Sequence, residues 1–385
     1  MSDPVSTRRP RVTLEPAALQ QLIDTLRTDG FRVIGPVLGN GSIVYDDLTS
    51  TSQLPQGRTD RQQPGLYRLG TREDEAWFGY AVGPHSLKRF LYPPVTRLWK
   101  AERKGSGLTL VPEGDEAPPT AFVGVRACDV AAMLVQDRVL LQGPYIDPAY
   151  RQRRQAAFIV AVNCGSPGGT CFCASMGTGP AVKTGHDIAL TEVLADGAHA
   201  FVAEAGSDRG AALLGRLATR PVTDGEAACA AAAISDAARH MGRTVAAEGV
   251  PERLAANVED PRWDLVARRC LTCANCTLVC PTCFCSTVED ETDLSGAHAT
   301  RVRKWDSCFT LDFSYIHGGS VRPSPYARYR QWLTHKFGTW VEQFGTSGCV
   351  GCGRCITWCP VGIDVTEEVR AMGGQAPSDL PVASA

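Results

Sequence analysis

Two stretches near the carboxyl end constrain this chain more than anything else in it: Cys270, Cys273, Cys276 and Cys280 followed by Pro281, and Cys349, Cys352, Cys355 and Cys359 followed by Pro360. Both have the form C-x2-C-x2-C-x3-C-P. Thiols at this spacing sit on a loop tight enough to wrap one four-iron cube, while the fourth cysteine begins a helix that leads away and reaches a neighbouring cube. Ligands therefore cross over. The spacing predicts one [4Fe–4S] cluster on Cys270, Cys273, Cys276 and Cys359 and a second on Cys349, Cys352, Cys355 and Cys280. Zinc is the alternative, but zinc ribbons use two separated pairs, and two complete runs closed by proline do not fit that pattern.

The chain has 16 cysteines in 385 residues, too sparse for a disulfide scaffold and in a chain too long to need one. Eleven fall in the last 116 residues and five before them, so their distribution marks a site. Apolar residues make up 44% and charged residues 21%, as in a folded globular protein, and a net charge of -2 gives no electrostatic reason to bind nucleic acid. The longest apolar stretch, 156–162, is far short of the roughly 18 residues that span a bilayer. Arg8-Arg9 is followed by no apolar segment, so no export peptide is expected, and metal-bound thiolates point to a reducing cytoplasm. There is no P-loop, no full G-x-G-x-x-G and no nucleophile or zinc-protease motif; Gly39-Asn40-Gly41 reads as a turn. Two adjacent clusters without a visible substrate or flavin motif are suited to moving single electrons between other centres.

Along the chain, residues 15–30 carry Leu19, Leu22, Ile23 and Leu26 at helical spacing, and 31–45 reads as a hairpin turning at Asn40-Gly41. Segments 46–66 and 102–118 read as surface loops. Residues 121–125, 129–141 and 156–162 form a strand, helix, strand unit whose strands should lie parallel. Cys128 follows the first strand and Cys164 the second, so both emerge at the carboxyl end of a parallel sheet, and Cys171 and Cys173 lie in the glycine-rich loop 165–179 beside them. These four thiols are a candidate third metal centre, against the alternative of a buried or redox-active thiol set. Residues 191–255 are alanine-rich and read as mostly helical, with Cys229 as a buried filler, and 253–269 as a helical lead-in.

The expected architecture is an α/β (α+β) domain with a short parallel sheet over 1–255, then a mainly α, two-cluster ferredoxin-like domain over 256–385. That second domain is opened by the long insert between Pro281 and Cys349. Cys283, Cys285 and Cys308 lie inside the insert and read as thiols packed beside a cluster, with another metal site as the alternative. His317, Arg322, Arg328, Arg330, His335 and Lys336 make its end basic, which reads as a solvated face, with docking of an acidic partner as the alternative.

The motifs V-R-A-C-D at 125–129, N-C at 163–164, C-F-C-A-S-M-G-T-G-P at 171–180, the first run extended to C-P-T-C-F-C at 280–285, W-D-S-C at 305–308 and C-V-G-C-G-R-C-I-T-W-C-P-V-G-I-D at 349–364 are together recognisable. The chain resembles the beta subunit of soluble NAD(P)-linked [NiFe] hydrogenases, or sulfhydrogenases, from about residue 31 to 368. The A subunit of anaerobic sulfite reductase is similar in the same places, and the wording of 349–364 favours the hydrogenase branch. The resemblance implies that a flavin subunit exchanges hydride with NAD(P)H and a small iron–sulfur subunit serves the nickel-iron subunit. The beta subunit, with no catalytic centre of its own, supplies clusters between them. In the sulfite reductase, sirohaem subunits would replace the hydrogenase pair. A hypothesis of another class is a structural or regulatory module whose clusters do not cycle.

Overall fold

The computed structural model describes residues 10–81, 83–105, 107–112, 117–195 and 197–372. After strand β1 (Arg11–Leu14), helix α1 (Pro16–Thr28) opens on Pro16, whose fixed φ suits a first turn. It buries Leu19, Leu22, Ile23 and Leu26 against the main core, each such side chain contributing about 1.5–3 kcal/mol. Strands β2 (Arg32–Gly39) and β3 (Ser42–Asp47) are joined by Asn40 and Gly41 at φ 52° and 73°, the left-handed pair that a two-residue hairpin requires.

The segments expected to be loops are partly strands. Residues 46–66 lead into the hairpin of β4 (Arg58–Gln63) and β5 (Leu66–Thr71), and 102–118 overlaps that of β6 (Val95–Lys104) and β7 (Gly107–Pro112). Strand β4 is wholly polar, and the alternating Leu108 and Leu110 of β7 face solvent rather than a core, so neither hairpin carries the half-buried pattern by which strands are recognised. Residues 113–116 lie outside the described residues.

After helix α2 (Lys88–Leu91) the chain builds its centre: β8 (Thr120–Arg126), α3 (Ala127–Leu141), α4 (Pro148–Ala156) and β9 (Phe158–Val162). Next come β10 (Ile188–Ala195), β11 (Ala198–Ala205), α5 (Asp208–Leu214), β12 (Thr219–Pro221) and α6 (Asp224–Arg239). An eight-stranded mixed sheet has the order β12-β1-β11-β10-β9-β8-β2-β3. Its middle strands β10, β9, β8 and β2 are parallel, and antiparallel pairs flank them. The alanine-rich reading is corrected here: β10 and β11 form an antiparallel hairpin, because Ile188 and Leu190, like Phe201 and Ala203, recur with period two toward the core. Cys229 is exposed on α6, whose buried residues are Ala230 and Ala237.

The carboxyl part holds α7 (Val250–Ala256), α8 (Arg262–Ala267) and α9 (Asn275–Leu278). The insert then forms β13 (Ser286–Thr292), β14 (His298–Trp305), the short pair β15 (Tyr315–Ile316) and β16 (Gly319–Ser320), and α10 (Pro325–Thr334). Helix α10 continues through a π-helical turn (His335–Thr339) into α11 (Trp340–Phe344), and α12 (Arg354–Thr357) and α13 (Val365–Ala371) complete the chain. This region is mixed rather than mainly α. Strand β14 pairs along β6, giving a four-stranded sheet β13-β14-β6-β7 that crosses the boundary placed near 255. Cys280 is likewise followed by extended chain entering β13, not by a departing helix. A second apolar core around Trp263, Phe309, Tyr329, Trp332, Phe337 and Ile356 packs against cysteines of both runs. Among the described residues no helix is long and apolar enough to cross a membrane.

Candidate metal centre

Both cysteine runs fold into the same loop, and the repetition extends to the backbone angles. In the second run Gly351 and Gly353 stand at φ 65° and 74°; in the first, the matching positions are Thr272 and Ala274 at 51° and 66°. A left-handed threonine is disfavoured by about 1–3 kcal/mol, so the loop geometry is imposed on that residue. At Gly351 and Gly353 a side chain is excluded outright, because a Cβ would approach the Phe172 and Thr170 carbonyl oxygens to 2.6 and 2.5 Å. Each loop turns a backbone N–H onto its first sulfur, Thr272 N to Cys270 Sγ and Gly351 N to Cys349 Sγ, both at 3.4 Å. Each then enters a one-turn helix, α9 or α12, and Asn275 Nδ2 ties the two together by donating to the Trp358 carbonyl at 2.7 Å.

Cys270, Cys273, Cys276 and Cys359 line one pocket, together with Cys355, Phe309, Tyr329 and Trp332. The charge of Cys280 acts on Cys349, Cys352 and Cys355 of the second run, and also on Cys276 of the first. Burial pushes Cys276, Cys352 and Cys355 up, and Cys349 up to about 12, so in the metal-free chain these thiols hold their protons and metal must displace them. Among the described residues no three Cys, His, Asp or Glu side chains gather tightly enough to grip a single ion. A zinc ion, with Zn–S of about 2.3 Å, would draw its thiols to roughly 3.8 Å from one another.

Charge gives an independent test of fit. Lys88, Lys336 and Arg354 are buried beside these thiols, each 3% exposed or less. Asp129 is the acid that faces them, its carboxylate 2.8 Å from Arg354. Other buried acids already have arginines: Asp187 with Arg209, Asp364 with Arg243, Glu368 with Arg262. Lys336 Nζ donates to Cys280 Sγ at 3.4 Å, Thr282 Oγ1 at 3.0 Å and the Gly348 carbonyl at 3.1 Å. Burial by itself would push this ammonium down, but the charge of Cys280, a thiol itself held below its ordinary value, keeps it well above. Lys88 donates to the carbonyls of Thr277, Leu278 and Cys283 and lies 4.0 Å over the Trp305 ring. Such an excess of buried cations costs several kcal/mol per uncompensated ion, and thiolate-ligated clusters, which carry net negative charge, supply the compensation. Residues and group fit.

The basic end of the insert is accordingly not one solvated face. Lys336 and Arg328 are buried, and Arg328 donates to the carbonyls of Arg322, Phe309 and Pro323. Cys283 hydrogen-bonds Cys280, which that bond, Lys336 and Thr282 hold well below its ordinary value. Cys285 bonds Cys308 and is brought down to about 7. Cys128, Cys164, Cys171 and Cys173 converge on one further pocket with Arg126 on its wall. Lys88, Arg126, Asp129 and Arg354 were not singled out by sequence reasoning. For all but Lys88 a signal was present, in R-A-C-D at 126–129 and C-G-R-C at 352–355, where charged residues adjoin metal-type cysteines.

A profile of the 4Fe-4S dicluster domain matches residues 269–363, which defines the class: this is an iron–sulfur protein of the electron-transfer kind. Sulfhydrogenase 2 subunit beta of Pyrococcus furiosus is 30% identical over 345 residues, 88% of this chain and 92% of that protein. The chain belongs to the hydrogenase beta-subunit family.

Proposed function

We propose that this chain relays single electrons through two [4Fe–4S] clusters. One is held by Cys270, Cys273, Cys276 and Cys359, the other by Cys349, Cys352, Cys355 and Cys280. The relay runs between a flavin-bearing NAD(P)H-oxidoreductase subunit and the small subunit of a [NiFe] hydrogenase, in the cytoplasm. The observation that carries the relay is the excess of buried cations along the thiols, which calls for resident anionic groups. When bound, a cluster supplies a centre that gains and loses one electron without making or breaking bonds. The chain's own residues hold the thiols apart, exclude water with Phe309, Tyr329 and Trp332, and aim N–H donors at sulfur. The hydrogenase partners rest on the named relative; sirohaem subunits of an anaerobic sulfite reductase are the second reading.

Anaerobically purified protein is expected to show broad visible absorption that dithionite bleaches and mild oxidation restores. A coloured chain that does not cycle would leave only a structural role for the clusters. Native complexes captured through this chain should contain nickel; sirohaem absorption in its place would move the chain to the sulfite reductase branch. Within the relay, Lys336→Met is expected to move the reduction potential of one cluster negative, because an N–H donor and a positive charge beside Cys280 favour the reduced, more anionic state. Lys336→Arg should keep most of the effect. An EPR-monitored redox titration giving the same two potentials in Lys336→Met and wild type would contradict the tuning role.

A further inference from the structure

We propose that the amino-terminal pocket is a third [4Fe–4S] site, ligated by Cys128, Cys164, Cys171 and Cys173, with Arg126 as its charge partner. This goes beyond the two-cluster relay and continues its line. The sheet explains how four thiols with no familiar spacing come together. Strands β8 and β9 are adjacent and parallel, so the chain leaves both at the same end: Cys128 sits in the first turn of α3 directly after β8, and Cys164 two residues after β9. The following loop returns Cys171 and Cys173 over that end, and the Phe172 N–H between them bonds the Gly351 carbonyl at 2.8 Å. Three of the four thiols are buried, and the cavity they line is otherwise walled by Ala81, Pro167, Pro180 and Met241.

Arg126 is the independent observation. Its guanidinium is 2% exposed and donates through Nη2 to the Phe78 and Tyr80 carbonyls at 2.7 and 2.9 Å, but Nη1 has no hydrogen-bond partner. A buried guanidinium nitrogen left without an acceptor is among the costliest arrangements in a folded chain, and Cys164 exerts a charge interaction on this one. A thiolate-ligated cube in the pocket is anionic in both of its redox states and presents sulfur acceptors, so it answers the orphaned nitrogen and the surplus charge together. The site also lies where an electron could leave it. Cys171 Sγ is 3.8 Å from the carbonyl oxygen of Cys352, and Cys128, Cys173 and Cys352 share one apolar cluster. The step is transfer of one electron between this centre and the cube of the second run, with no bond formed or broken and no proton required. The order of centres is then the amino-terminal pocket, the second run and the first run, whose Cys273 is exposed.

The test is iron and acid-labile sulfide per full-length chain after anaerobic purification, on wild type and on Cys128→Ala, Cys171→Ala and Cys164→Ala. Wild type should hold about twelve irons, and each variant about eight with an unchanged circular dichroism spectrum. Arg126→Met should move the potential of one of three EPR-resolved clusters, and Arg126→Lys should restore it. Wild-type iron near eight, zinc in the pocket, or three alanine variants with undiminished iron would each overturn the third site while leaving the two-cluster relay standing. Iron well below eight in wild type would instead defeat the relay. Should the alanine variants misfold, the wild-type stoichiometry and the Arg126 pair still decide the matter.

Discussion

Replacing Cys359 by alanine is expected to remove about four iron atoms, and to remove them from the cube wrapped by the first cysteine run rather than from its own. The reason is spatial. Cys359 opens into the same cavity as Cys270, Cys273 and Cys276, and its charge acts on Cys270 and Cys276. The Ile363 N–H, 3.3 Å from Cys359 Sγ, and the stacked pair Tyr67 and Trp358 fix the segment that carries it. Cys280→Ala is the mirror experiment, expected to empty the cube of the second run. Mössbauer or EPR spectra of the two variants should therefore show complementary losses. If each variant lost the cube of its own run, the crossover would be wrong and the two loops would bind independently.

Asp129→Ala is expected to destabilise the folded chain by about 3–5 kcal/mol, the usual result of stripping one partner from a buried ion pair. Asp129 and Arg354 are both fully buried, 2.8 Å apart, and join the first turn of α3 to the start of α12. Arg354 also donates to the Gly83 and His85 carbonyls, both at 2.8 Å, so it cannot swing to solvent when the carboxylate is lost. Burial pushes the Asp129 carboxyl above its ordinary value, opposed by Arg354. Asp129→Leu combined with Arg354→Met should cost far less than Asp129→Ala, since paired apolar replacements avoid the stranded charge. Urea unfolding followed by circular dichroism measures both; a change under about 1 kcal/mol for Asp129→Ala would show that the guanidinium finds compensation elsewhere.

This ion pair and the β14–β6 pairing bear on how the molecule is organised. The cluster-bearing part is joined to the large sheet by a buried charge pair, by a shared four-stranded sheet and by the fit of Gly351 and Gly353 against Thr170 and Phe172. Loop 170–173 thereby holds two of the amino-terminal thiols and braces the second run at once.

Helix α1, the β2–β3 hairpin, the β8–α3–β9 unit and the two cysteine runs were all legible in the residues, because each is written in a local period: 3.6 for a helix, two for a strand, a fixed count between ligands on one loop. The hairpins β4–β5, β6–β7 and β13–β14 were not, since their residues are largely polar or face solvent, and the one pairing that joins two of them, β6 with β14, links residues as distant in sequence as Val95 and Lys304. The alanines of β10 and β11 favour helix by their own propensity, and it is the strand pairing and core contacts of Ile188, Leu190 and Phe201 that override it. The insert's basic residues looked like a surface from composition, yet Lys336 reaches Cys280 across 56 positions and Arg354 reaches Asp129 across 225. No spacing rule covers such distances, because where a cation is desolvated depends on what the fold packs around it. The ligand types and the four-iron chemistry of the two runs thus follow from residues within a dozen positions of one another. Which cavity each thiol shares, which cations lie buried beside it, and the meeting of the amino-terminal thiols with the second run depend on long-range packing, whose energy exists only once the chain has closed.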